Sequence, residues 1–148
     1  MIEGVKIKKL EINEDPRGDF REIVRSDGGI IDKIEQISIG RTLPGVIKAF
    51  HGHENQDDLF YVLKGNIQLV LYDIRENSQS KDKTEVILLG ESYEPKIVFI
   101  PRNVLHGYKV LGDKEAEVLY IMNNKYNSSN PDEKRIPFDD PSINFDWN

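Results

Sequence analysis

Two of the chain's three histidines stand two residues apart, in Gly45-Val-Ile-Lys48-Ala-Phe-His51-Gly-His53-Glu-Asn-Gln-Asp57-Asp58. In an extended strand, residues i and i+2 project from the same face, roughly 6.6 Å apart. Both imidazoles are then placed to address one small ligand or one metal ion. Asp58 follows five residues after His53, and Gly65 seven residues after that. The third histidine lies in Pro101-Arg-Asn103-Val-Leu-His106-Gly-Tyr108, after the apolar run Ile97-Val-Phe-Ile100. A site that uses every histidine requires a fold that brings these two extended segments side by side.

The rest of the chain reads as short strands divided by turns. Residues 4–12 alternate loosely and open the chain as a strand; Asp15-Pro-Arg17-Gly18 is a turn leading into a short strand. Residues 30–39, with apolar side chains at 30, 31, 34, 37 and 39, are expected as a strand, as are 46–53. Lys64-Gly65-Asn66 between 59–63 and 67–72 is a hairpin signal, with Ile67, Leu69 and Leu71 on one face. Residues 73–83 are polar and read as a loop, and strands are expected again at 84–89, 96–100, 108–111 and 117–122. The last 25 residues, with Pro131, Pro137 and Pro141, are expected to be irregular apart from one helical turn. No ten-residue stretch carries a 3.6-residue apolar period, so nine or ten short strands point to an all-β sandwich or barrel.

Composition narrows the function classes. A length of 148 residues suits one domain with one sizeable core. A formal net charge of −6 argues against a nucleic-acid-binding face. No apolar run approaches the ~18–20 residues that span a bilayer, and the opening Met-Ile-Glu-Gly-Val-Lys is unlike a secretory signal. No membrane partner is expected, and the cytoplasm is the default location. Without cysteine there is neither a disulfide framework nor thiolate chemistry.

Gly45, His51, His53, Asp58 and Gly65 resemble the first motif of the cupins, with Asp58 where glutamate is usual. Pro101, Asn103 and His106 resemble the second, with Asn103 in place of a glycine. Asparagine tolerates positive φ, so that exchange is mild. The resemblance implies an all-β jelly-roll, the cupin β-barrel, over residues 1–148.

Further segments resemble the dTDP-4-dehydrorhamnose 3,5-epimerases. They are Arg17-Gly18-Asp-Phe20-Arg-Glu22; Gln36-Ile-Ser38 followed by Gly45-Val46; Asp73-Ile-Arg75-Glu-Asn-Ser78; Tyr120 with Tyr126 six residues later; and Asp140-Pro141 followed by Asp146-Trp147. The resemblance implies a homodimer acting on a nucleotide-linked 4-keto-6-deoxysugar in deoxysugar or polysaccharide biosynthesis, without a cofactor. A histidine base removes a proton next to the ketone, where an enolate can form, and a tyrosine returns one on the other face. Histidine suits that task because its pKa lies near neutrality. By resemblance His51 is the base and Tyr126 the acid. Arg17, Phe20 and Glu22 belong to an N-terminal arm that crosses to the partner's nucleotide, and Gln36, Lys48 and His106 are further substrate contacts.

The chain also departs from that family. Lys48 stands where an arginine is usual, which keeps the charge but loses bidentate geometry. Asp58 stands where the family has a lysine that stabilises the enolate, and a carboxylate would repel an oxyanion there. The family's aspartate partner of the base falls beyond Asn148, so the resemblance supplies no partner for His51. The same exchanges restore a resemblance to metal-binding cupins, which implies His51, His53, Asp58 and His106 as ligands of Zn, Fe, Mn or Ni. Such a metal would polarise the ketone in place of the lysine. Three readings stay open: a nucleotide-sugar epimerase, or an isomerase like the sugar 3,4-ketoisomerases that the His-x-His also resembles; a metal-dependent cupin enzyme; and a non-catalytic sugar-nucleotide binding protein. Tyr61, Tyr72, Tyr108 and Trp147 are expected to be packing residues.

Overall fold

The computed structural model describes residues 1–148. It has twelve strands: β1 (Lys6–Lys9), β2 (Asn13–Asp15), β3 (Gly18–Phe20), β4 (Gln36–Thr42), β5 (Ile47–Gly52), β6 (Asp58–Lys64), β7 (Asn66–Asp73), β8 (Thr84–Gly90), β9 (Lys96–Ile100), β10 (Val104–Leu111), β11 (Ala116–Met122) and β12 (Lys134–Arg135). One antiparallel sheet runs β1-β9-β6-β11-β4 and the other β12-β5-β10-β7-β8, while β2 and β3 form a separate hairpin. This is the expected jelly-roll.

Alternation along the strands decides what lies between the sheets. In β7, Ile67, Leu69 and Leu71 face inward onto Phe60, Val62, Val98 and Val118 of the other sheet. Val70 and Tyr72, on the opposite face of the same strand, join Phe50, Leu105, Ile143 and Trp147 under the C-terminal segment. The outer face of the first sheet is covered by Leu10, Ile30 and Ile31, which pack on Leu59, Tyr61, Phe99 and Ile121. At about 25 cal/mol per Å² of apolar surface, this two-sided covering of both sheets is the main stabilising contribution. No helix is long and apolar enough to cross a membrane.

Turn chemistry behaves as its residues dictate. Gly65 has φ +72°, and a Cβ there would lie 2.3 Å from the Glu115 carbonyl oxygen, so only glycine closes this hairpin without displacement. Asn103 adopts φ +59°, in line with its replacing a glycine. One expectation needs correction. Residues 30–35 are not strand: β4 begins at Gln36, because the adjacent Ile30 and Ile31 are both buried, as loop residues plugging the outer face of the first sheet. The polar 73–83 loop is a clamp in which buried Asp73 accepts hydrogen bonds from Arg75, Ser78 and Ser80. These donors hold its carboxyl well below the usual range despite burial. The Asp-x-Arg-x-x-Ser segment is therefore structural. The C-terminal residues make one turn, closed by Asn144 N–H donating to Asp140 O, and the two-residue strand β12.

The pairing of β5 with β10 sets up the site. His51 lies opposite His106, but Lys48, three residues before His51, lies opposite Tyr108, only two residues after His106. The extra residue on β5 is a bulge. Strict alternation would send Lys48 and His51 to opposite faces; the bulge gives both to the cavity, while Phe50 packs on Trp147 with ring centroids 5.5 Å apart. Gly107 allows it, since a Cβ there would sit 2.3 Å from the Cβ of Ala49.

Candidate active site

A cavity of about 480 Å³ opens between the sheets. Its walls carry His51, His53, His106 and Lys48 from the side of β5 and β10. Asp58, Phe60 and Tyr120 come from β6 and β11, and Gln36 and Ser38 from β4. Asp132, Glu133 and Arg135 reach it from the C-terminal segment, which pairs with the free edge of β5. All three histidines therefore share one site, but they do not share one duty.

His51 stands apart from the other two. Its Nδ1–H donates to Glu133 Oε1 at 3.1 Å, which leaves Nε2 as the atom able to accept a proton. Burial pushes the His51 pKa down, and the Glu133 carboxylate pulls it back up. Glu133 is held in turn by Arg135 Nη2 at 3.0 Å. Segment 132–136 is fixed to β5 by two backbone hydrogen bonds between Phe50 and Ile136, of 2.7 and 3.0 Å. The carboxylate partner that the resemblance could not supply is thus Glu133.

His53 and His106 converge on Asp58. Nδ1–H of His53 donates to the Asp132 carbonyl, and Nδ1–H of His106 to the Val104 carbonyl at 3.2 Å. Their Nε2 atoms lie 3.4 and 3.5 Å from Asp58 Oδ2. The other oxygen, Oδ1, accepts from Gln56 Nε2 at 2.7 Å. The ligating atoms of these three residues all lie within 4.8 Å of one another. The expected four-ligand metal set is corrected to three, since His51 is engaged by Glu133 and lies outside the cluster. Burial pushes His106 down to about 3 and Asp58 up to about 6. Asp57 does not compete for this place, because its carboxylate accepts from Arg102 and Asn123.

The tyrosines divide differently from expectation. Tyr126 is 66% exposed at the mouth, its N–H donating to Gln36 Oε1. Tyr120 lies deeper, edge-on to Phe60 at 4.8 Å, with its hydroxyl 2.8 Å from that of Tyr108. Tyr61, Tyr72 and Trp147 are buried packing residues, while Tyr108 is both core and cavity wall. Arg17, Phe20 and Glu22 do not line this cavity. Arg17 pairs with Asp15 and Glu22 with Arg25 at the surface, contacts of small energetic weight. Sequence reasoning missed Asp132, Glu133 and Arg135, which sit in a charged run with no periodic signal, and named Tyr120 only within the resemblance, without a role in the site.

Asp58 makes a pH-dependent contribution of definite sign. Its folded pKa of about 6 exceeds the ordinary 3.8, so the stability it lends is present below about pH 4 and lost as pH rises through 6. In chelator-treated protein, Asp58→Asn should melt close to wild type at pH 4 and at least about 3 °C above it at pH 8. A gap independent of pH would refute this.

The family model for dTDP-4-dehydrorhamnose 3,5-epimerase matches residues 1–148. The chain is 49% identical over 148 residues to the spore coat polysaccharide biosynthesis protein SpsL of Bacillus subtilis, covering 100% of this chain and 97% of the relative. It is 36% identical to the probable low-salt glycan biosynthesis epimerase Agl13 of Haloferax volcanii, covering 99% and 95%. Among solved structures, a dTDP sugar isomerase from Desulfovibrio desulfuricans superposes with a TM-score of 0.91 at 28% identity, covering 99% of this chain and 92% of that one. A whole-chain model match, two relatives above 30% identity and a shared fold lead to one conclusion: this chain belongs to the dTDP-4-dehydrorhamnose 3,5-epimerase family.

Proposed function

We propose that this protein is an epimerase or isomerase of a dTDP-4-keto-6-deoxyhexose-like nucleotide sugar, serving polysaccharide biosynthesis. One observation carries the reading: His51, oriented by Glu133 on one sheet, and Tyr120, on the other sheet, share a cavity large enough for a hexose. His51 Nε2 takes a proton from the carbon next to the ketone, and Glu133 stabilises the imidazolium that results. Tyr120 returns a proton from the opposite side. Burial holds its phenol well above the usual range, so it keeps its proton at neutral pH until the enolate takes it. We assign the acid to Tyr120, and place Tyr126 at the mouth with Gln36 and Lys48, where the nucleotide and its phosphates enter.

A second copy completes the site in this reading. The outward face of β4 leaves Ile37 and Ile39 59% and 60% exposed. An apolar strip of this kind on an acidic chain is suited to burial against its own copy. The β2–β3 hairpin stands clear with Phe20 66% exposed, which is the placement Arg17, Phe20 and Glu22 need to reach a partner's cavity.

A second reading is favoured by the convergence of His53, Asp58 and His106. Both imidazoles spend their Nδ1–H on carbonyls, so three electron-pair donors face one another and fit a divalent cation. Held there, a cation would supply a Lewis acid to the ketone oxygen. Zn²⁺ should then raise the melting temperature of wild type and leave Asp58→Asn unmoved; no shift with Zn²⁺, Mn²⁺, Fe²⁺ or Ni²⁺ removes this reading.

The proton-transfer reading is tested with dTDP-4-keto-6-deoxyglucose in D₂O, followed by NMR. Deuterium should enter C3 or C5, and His51→Ala should abolish it; no entry with wild type overturns the assignment for this substrate. Glu133→Gln should lower kcat/KM about 10- to 100-fold. Because Glu133 raises the His51 pKa, its loss should also move the acid limb of the pH profile downward. An unmoved limb would show that the pair does not act through His51.

The dimer is tested by sedimentation. Wild type should run at twice the 17.1 kDa chain mass, and Ile39→Asp at that mass itself. A monomeric wild type would sink the crossing-arm role of Arg17, Phe20 and Glu22.

A further inference from the structure

The hydroxyls of Thr42, Tyr108 and Tyr120 form a chain that the mechanism above uses only at its end. Thr42 Oγ1 lies 2.9 Å from the Tyr108 hydroxyl, which lies 2.8 Å from that of Tyr120. Thr42 is on β4 and Tyr120 on β11, neighbouring strands of one sheet, whereas Tyr108 reaches across the core from β10 of the other. Thr42 and Tyr108 are 2% and 3% exposed, and Tyr108 is otherwise packed in the apolar cluster between the sheets. A phenylalanine would fill the same space, and a buried hydroxyl is a cost unless it is paired. The polar atoms are thus matched to one another in a place where packing alone does not require them.

The far end of the chain is fixed as firmly. The Tyr120 ring meets Phe60 edge-on at 4.8 Å, with an interplanar angle of 88°. On its other side lies Gly40, where a Cβ would approach a ring carbon to 3.1 Å and the hydroxyl oxygen to 3.3 Å. Gly40 is the absence of a side chain that lets Tyr120 lie where Tyr108 can reach it.

We propose that Tyr108, held by Thr42, is a positioning residue that aims the Tyr120 hydroxyl into the cavity and takes up charge on its oxygen during proton return. The proposal rests on the epimerase reading above. In the step, the Tyr120 O–H bond breaks and a C–H bond forms on the enolate carbon, and the O–H electron pair stays on the phenolate oxygen. Tyr108 then donates its one hydrogen to that oxygen while accepting from Thr42, so all the hydroxyls point toward the cavity. A preorganised donor at the atom where charge develops acts on the transition state. Water at the cavity mouth afterwards protonates the phenolate and removes the proton from His51, which is 31% exposed.

The test separates proton removal from proton return. With dTDP-4-keto-6-deoxyglucose in D₂O, deuterium entry next to the ketone reports His51, and appearance of inverted product reports Tyr120. Tyr108→Phe and Thr42→Val should keep deuterium entry within about 2-fold of wild type. Inversion should fall about 10-fold or more, with KM unchanged, and Thr42→Ser should restore it. A purely structural role would lower both rates together in Tyr108→Phe and in Thr42→Val, and would overturn the proposal. So would Tyr108→Phe or Thr42→Val with the wild-type ratio of inversion to exchange. Wild type that exchanges no deuterium overturns the epimerase reading itself, and the proposal with it. Wild type that exchanges and inverts beside variants that do the same overturns this proposal alone.

Discussion

The passage of β5 over Gly107 is the contact on which the site depends. A side chain at 107 would collide with Ala49, and without that close approach the bulge opposite His106 and Tyr108 has no room. The bulge is what lets Lys48 and His51, three residues apart, both face the cavity while Phe50 turns outward onto Trp147. The aromatic cover of the second sheet and the place of His51 in the cavity are thus set by one irregularity of one strand. The other edge of β5 pairs with Lys134–Arg135, and that pairing delivers Glu133 to His51. Packing, register and the partner of His51 are linked through a few backbone atoms.

The interior of the cavity is organised by the scarcity of hydrogens. His53 and His106 each give their Nδ1–H to a carbonyl, so the atoms they turn to Asp58 carry lone pairs. Burial raises Asp58 and lowers His106, both changes that reduce the charge held in a dry place. On the other side of Phe60 the opposite holds: the hydroxyls of Thr42, Tyr108 and Tyr120 each carry a hydrogen to donate. One cluster collects electron pairs and the other supplies protons, and each draws on both sheets. Asp58 is therefore part of a cluster that includes His53 and His106, and not an isolated carboxylate.

Much of this was legible in the chain. His-x-His with Asp58, the glycine at 65 and the second motif at 101–106 placed every histidine in one site, because period-2 geometry and turn residues act locally. The inward set Ile67, Leu69 and Leu71 followed from the same alternation. Local rules failed where a partner segment decided the outcome. Ile30 and Ile31 read as strand but plug a loop, since burial against Leu59 and Phe99 rewards adjacent apolar residues in any conformation. How deep each tyrosine lies was not legible either: Tyr126 is exposed at the mouth, whereas Tyr120 lies inside, where Gly40 on the next strand leaves space for its ring.

By itself, then, the sequence determined the all-β class, the jelly-roll, the family and the gathering of His51, His53, Asp58 and His106 at one cavity. The all-β class rests on spacings of a few residues, which fix strand faces and turns; the jelly-roll, the family and the shared site rest on the resemblance that the motifs carry. Only the tertiary structure decided which histidine does what. His51 and His53 are two residues apart and chemically identical. They differ because Glu133 reaches one and Asp58 the other, from segments about 80 and 5 residues away. The partner of an imidazole decides which nitrogen holds the proton, and partners are chosen by the fold.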